Sequence, residues 1–156
     1  MNLSRLSVLP YDLANFPRFK IREAGADGTT PPENKKLLTP IKVLVVEDDR
    51  LCQKIDLLML SHPDYRADLA INGREALAKY QQGYDVMLLD LGLPDISGIE
   101  VCRIIRQQEQ TTHMPIIALS AIGDLKYAEC LAAGFTEVLI KPCSREQLYM
   151  VINSLV

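Results

Sequence analysis

Four short apolar runs, each stopped by a polar or charged residue, constrain this chain more than anything else in it. Val43–Val46 leads into Glu47-Asp48, Val86–Leu89 into Asp90, Pro115–Leu119 into Ser120, and Glu137–Ile140 into Lys141. Such near-continuous apolar runs suit parallel strands covered on both faces. A fifth run, Tyr65–Ala70, partly alternates, as an edge strand does.

Helical spacing fills the gaps between the runs. Leu51, Ile55, Leu58 and Met59 share one face, as do Val101, Ile104 and Ile105, and then Leu148, Val151, Ile152 and Leu155. Ser97-Gly-Ile-Glu100 and Ser144-Arg-Glu-Gln147 read as capping boxes, and Asn72 and Asp124 suit helix N-caps. Gly83 and Gly134 stand where helices should stop. Five strand-then-helix units predict an α/β doubly wound five-stranded parallel sheet, in the flavodoxin-like order 2-1-3-4-5, with helices on both faces. That order sets strands one and three side by side.

Ligands of such sheets bind outside the carboxyl ends of the strands, near the switch point. The strand ends would therefore gather Glu47, Asp48 and a third acid, Asp49, with Asp90, Ser120 and Lys141. Carboxylates this close stay ionised together only beside a cation. An all-oxygen set without His or Cys favours Mg²⁺ or Mn²⁺ over zinc. With a cation present, Asp90 is suited to attack phosphorus, while Lys141 and Ser120 engage the phosphoryl oxygens. Each residue also has a plainer reading. The acid triplet could open a helix, Asp90 could begin a turn before Pro94-Asp95, Ser120 could start a helix, and Lys141 could be a surface lysine. All four in order at consecutive strand ends favour the chemical reading.

Composition narrows the setting. The chain has 156 residues, and no apolar stretch approaches the roughly 18–20 residues that span a bilayer. There is no export signature at the N-terminus, so a cytoplasmic location without membrane contact is expected. Cys52, Cys102, Cys130 and Cys143 are far apart, with no CxxC pair, and read as reduced residues. Residues 1–40 carry 6 Lys/Arg against 4 Asp/Glu, and residues 41–156 carry 11 against 16. An acidic domain without a basic stripe argues against direct nucleic-acid binding. Residues 22–40 are rich in Gly, Pro, Thr and charge and read as a linker, while residues 1–21 hold Phe16 and Phe19, two of the three Phe. The expected organisation is an N-terminal extension over 1–40 and one domain over 41–156. No effector domain is expected after the fifth helix.

The strings Val-Leu-Val-Val-Glu-Asp-Asp (43–49), Leu-Leu-Asp-Leu-Gly-Leu-Pro-Asp (88–95) with Ser97-Gly98, Ala-Leu-Ser-Ala (118–121) and Lys141-Pro142 resemble the response regulator receiver domain of two-component signalling. The resemblance covers about residues 41–156. It implies that Asp90 is the phosphoacceptor, that Asp48 ligates Mg²⁺ directly, Glu47 through water, and that Asp90 and the Gly92 carbonyl complete the metal set. It implies Ser120 as the switch hydroxyl, Lys141 as the phosphoryl-pairing lysine, and a cis bond before Pro142. A histidine kinase or histidine phosphotransfer protein would supply the phosphoryl group, and a downstream protein partner would read the helix 4–strand 5–helix 5 face. Both a stand-alone receiver and the receiver portion of a hybrid sensor kinase fit. Val138 departs from the Tyr or Phe that many members carry, so coupling should rely on the loop after Ser120 and the fourth helix. His62 and His113, without acidic neighbours at metal spacing, read as structural or solvated. The rival function is a Mg²⁺-dependent phosphohydrolase with an aspartyl nucleophile. Such enzymes usually carry an acid two residues after the nucleophile, where this chain has Gly92.

Overall fold

The computed structural model describes residues 39–109, 113–121 and 127–156. The expected linker (apart from its last two residues), the Phe-bearing segment and the Asp124 cap lie outside them. Strands β1 (Ile41–Val46), β2 (Tyr65–Ala70), β3 (Val86–Asp90), β4 (Ile116–Ala121) and β5 (Glu137–Lys141) alternate with helices α1 (Arg50–Met59), α2 (Gly73–Lys79), α3 (Gly98–Gln108), α4 (Tyr127–Ala133) and α5 (Arg145–Leu155). A 3₁₀ turn, Tyr80–Gln82, extends α2. The strands form one parallel sheet in the order β2-β1-β3-β4-β5.

Side chains alternate across each strand, so the sheet feeds two cores. Leu44, Val46, Met87, Leu89, Ile116 and Ala118 pack with Ala76 of α2, Val101, Cys102 and Ile105 of α3, and Cys130 of α4. On the other face, Val43, Val45, Leu88, Ile117 and Leu119 meet Leu60 after α1 and Leu148, Val151 and Ile152 of α5. Among the described residues, no helix is long and apolar enough to cross a membrane.

Local signals act where the sequence placed them. The Ser144–Gln147 pair forms a full capping box, and Asn72 caps α2 by accepting from Glu75 N. Ser97 accepts from Glu100 N, the only half of the expected box present. Gly83 and Gly134 adopt positive φ of 84° and 99°, ending their helices in a conformation that side chains disfavour. All four cysteines are free.

Two expectations need correction. β5 is mostly half-buried rather than covered on both faces, as an outer strand of the sheet. The apolar row of α1 faces outward: Leu51 is 66%, Ile55 47% and Leu58 65% exposed. The inward face instead carries Gln53, Asp56 and Leu60. Helical periodicity identifies a face but not its direction. The direction follows from the β1–α1 loop, which Gln53 Nε2 holds by donating to the carbonyls of Glu47 (2.8 Å) and Asp48 (3.3 Å).

Candidate functional site

Register brings the strand ends level. Val46 pairs with Leu89, so Glu47 follows beside Asp90; Asp90 pairs with Leu119, and Ala121 with Lys141. Glu47 is buried, accepting from Asp49 N at 3.0 Å and, through its other oxygen, from Lys141 Nζ. Asp90 accepts from Gly92 N through Oδ1 at 3.0 Å and from Lys141 Nζ through Oδ2 at 3.2 Å. Oxygens of Glu47, the exposed Asp48 and Asp90 lie within 4.8 Å of one another. Asp49 leaves this group: its Oδ1 caps α1, accepting from Leu51 N and Cys52 N at 2.9 Å each. Of the three consecutive acids, Asp49 is the one that opens the helix.

Ser120 is buried, its Oγ donating to the Ala121 carbonyl at 3.2 Å. It lines a rim cavity of about 510 Å³ with Asp90, Gly92 and Lys141. A Cβ at Gly92 would rest 3.8 Å from Asp90 Oδ1, an ordinary contact, so packing does not demand glycine there. The Lys141–Pro142 bond is cis.

Burial pushes the Glu47 carboxyl upward, and Asp90 adds to this, against the opposing hydrogen bonds from Lys141 and the Asp49 backbone. Burial works against the Lys141 ammonium too, but Glu47 and Asp90 outweigh it and hold that group above the ordinary lysine range. Two of the three carboxylates thus share one ammonium, and the surplus negative charge in an all-oxygen cluster fits a hard divalent cation.

A family model for the response regulator receiver domain matches residues 43–153. The transcriptional regulatory protein ResD of Bacillus subtilis is 37% identical over 116 residues, covering 73% of this chain and 47% of its own length. The chemotaxis response regulator CheY4 of Vibrio cholerae superposes with a TM-score of 0.69 at 32% identity, over 76% of this chain and 100% of that one. The chain belongs to the response regulator receiver domain family. Receivers are phosphorylatable signalling domains. A further similar structure is the receiver domain of the sensor histidine kinase PA1611 of Pseudomonas aeruginosa, described with a magnesium ion coordinated in its active site cleft. It is 34% identical with a TM-score of 0.68, over 74% of this chain and 97% of that one. The chain spans about half the length of the curated relatives it matches.

Several residues that shape this receiver's rim were not singled out by sequence reasoning. Asp95 reaches from the β3–α3 loop to α2, accepting from Gly73 N at 2.8 Å and Arg74 N at 3.0 Å. Burial raises its carboxyl, yet these backbone donors together lower it to about 2. Gly98 donates to the Leu91 carbonyl at 3.1 Å, and a Cβ on it would stand 2.2 Å from the Asp90 carbonyl oxygen. The Pro94-Asp95 and Ser97-Gly98 pairs signalled a turn, but not these long-range contacts. Val138 is buried beside Phe135 in the core that α2, α3 and α4 cover. Both histidines do have an acid close in sequence: His62 Nδ1 lies 3.4 Å from Asp64, and His113 Nδ1 lies 2.9 Å from Glu109. Each ring is exposed and faces a single carboxylate.

Proposed function

We propose that Asp90 accepts a phosphoryl group from a phosphohistidine of a histidine kinase or histidine phosphotransfer protein, in a Mg²⁺-dependent reaction, and that the receiver then alters a partner-binding surface. The observation that carries this reading is the placing of both Asp90 oxygens. Lys141 and the Gly92 amide hold them at the floor of a solvent-open cavity, beside two further carboxylates. One carboxylate oxygen attacks phosphorus, the P–N bond to the donor imidazole breaks, and its electron pair returns to the ring. Glu47, Asp48, Asp90 and the Gly92 carbonyl would hold Mg²⁺ (Mn²⁺ serves the same oxygen set), which neutralises phosphoryl oxygens when bound. Lys141 pairs with the transferred group, trading part of its contact with Asp90, and the Ser120 hydroxyl turns from the Ala121 carbonyl to donate to it. The resulting change is a shift between two conformations that a partner on the α4–β5–α5 face distinguishes.

The organisation proposed is an extension over 1–40 and a receiver over 41–156, in the cytoplasm and without direct nucleic-acid contact. The exposed apolar row of α1 begins two residues after Asp49 and offers a protein donor an apolar surface near the acids. A stand-alone receiver and a piece of a hybrid kinase both fit. Similarity to the receiver of a sensor histidine kinase supports the second. Phosphomonoester hydrolysis is disfavoured, since Gly92 offers no acid for a leaving group.

The test is incubation of the chain with acetyl phosphate and Mg²⁺, read by intact mass. One phosphoryl increment is expected, absent in Asp90→Asn and absent with chelator. An unchanged mass in a folded wild-type chain overturns the reading.

A further inference from the structure

A second pocket, of about 300 Å³, lies between α1 and the ends of β4 and β5. Ile55, Met59, Leu119 and Pro142 make much of its wall apolar. Two charged wall residues, Asp56 and Lys141, break that character. Asp56 is 7% exposed, and its Oδ2 is sealed from solvent with no hydrogen-bond partner. An acceptor left in that state is destabilising, and an apolar residue at 56 would complete the wall without the cost. No hydrogen bond of the described fold engages that oxygen, whereas a donor arriving in the pocket would.

We propose that this pocket binds a small organic cation, an ammonium or amidinium on a compact apolar body, with its charged head on Asp56. The volume sits at the small end of ligand sites and suits a single ring. Lys141 is the largest charge Asp56 senses, but that ammonium is already paired with Glu47 and Asp90, whose charges also reach Asp56, and the four groups together carry more negative than positive charge. A soft metal fits less well. Cys52 and Cys143 line the pocket, but burial pushes both thiols up and keeps them protonated. Among the described residues, only Glu47, Asp48 and Asp90 converge as a metal-sized group.

Lys141 lines both this pocket and the rim cavity. Occupancy is thereby linked to Asp90, and ligand and phosphoryl group change each other's equilibrium by one common factor. That consequence rests on the phosphoacceptor reading; the binding itself does not.

The test titrates the 15N-labelled 156-residue chain at neutral pH with benzamidinium, with benzyl alcohol as uncharged control and zinc chloride as the metal arm. Saturable shifts at the amides of Ile55, Asp56, Met59 and Cys143 are expected. Benzamidinium should bind roughly ten-fold more tightly than benzyl alcohol, and Asp56→Asn should erase that preference in a chain whose thermal unfolding shows it folded. Cys143→Phe, which fills the pocket and spares the carboxylate, should block both probes. Absence of saturable shifts, equal affinity for the two probes, a preference that survives Asp56→Asn, or saturation by zinc alone overturns the proposal. Acetyl phosphate and Mg²⁺ added to the samples without zinc separate the two readings: binding without phosphorylation sinks only the phosphoacceptor role, and phosphorylation without binding sinks only the pocket.

Discussion

Asp56 carries a charge that its surroundings oppose. Burial raises its carboxyl to about 6; the Lys141 charge pulls it back, and Glu47 and Asp90 add smaller upward pushes. The folded chain therefore holds this proton more tightly than the unfolded chain, whose ordinary value is 3.8. Keeping the charged form buried costs nothing below about pH 4, and the cost grows to its full size above about pH 6. Asp56→Asn should stabilise the chain at pH 7.5 by ~1 kcal/mol, after allowing for partial solvent screening and for the amide oxygen left in its place. The gain should vanish near pH 4; urea unfolding across that range measures it. Asp95 has the opposite sign: its contribution is present above pH 3.8 and is lost as pH falls toward about 2. Asp90 and Lys141 were readable because each ends an apolar run. Asp56 was not, since an acid three residues from Gln53 and two from Lys54 looks like part of a solvated helix face, and only the packed helix shows it turned inward.

The β3–α3 connection shows how an element fixes the acceptor. Gly98 is the first residue of α3 and lies against the backbone of Asp90 and Leu91, where a Cβ would meet atoms at 2.2 to 3.0 Å. Main chain cannot yield as a flexible side chain does, so Gly98→Ala must displace either the helix start or the acceptor. A loss of ~2–4 kcal/mol is expected by chemical denaturation, with slower phosphorylation of the fraction that remains folded. Ser97 should matter less, as it accepts a single capping bond from Glu100 N at 3.2 Å. The sequence signalled this turn through its Pro, Asp, Ser and Gly. Its closure against Asp90 depends on atoms that meet only when strand and helix are packed. The same holds for α1, whose apolar periodicity was correct and whose orientation was set by Gln53 and the loop carbonyls.

At the scale of the whole molecule, acids from the ends of two neighbouring strands repel each other in the folded state and are far apart in the unfolded one. A cation that binds the folded cluster alone must raise stability, by about 2.7 kcal/mol at a hundred times its dissociation constant. Saturating Mg²⁺ should therefore raise the unfolding temperature by several degrees, and Asp48→Asn should remove most of that rise; calorimetry with and without chelator checks both. The sequence by itself determined the parallel sheet, its layers and the strand-end residues, because apolar run length, spacing and caps are local properties that survive into any packing. Tertiary structure alone decided that Asp49 caps a helix while Glu47 meets Lys141, that α1 turns its apolar row outward, and that an unpartnered carboxylate lines a second pocket. Each of these depends on which distant atoms become neighbours, and no local pattern encodes that.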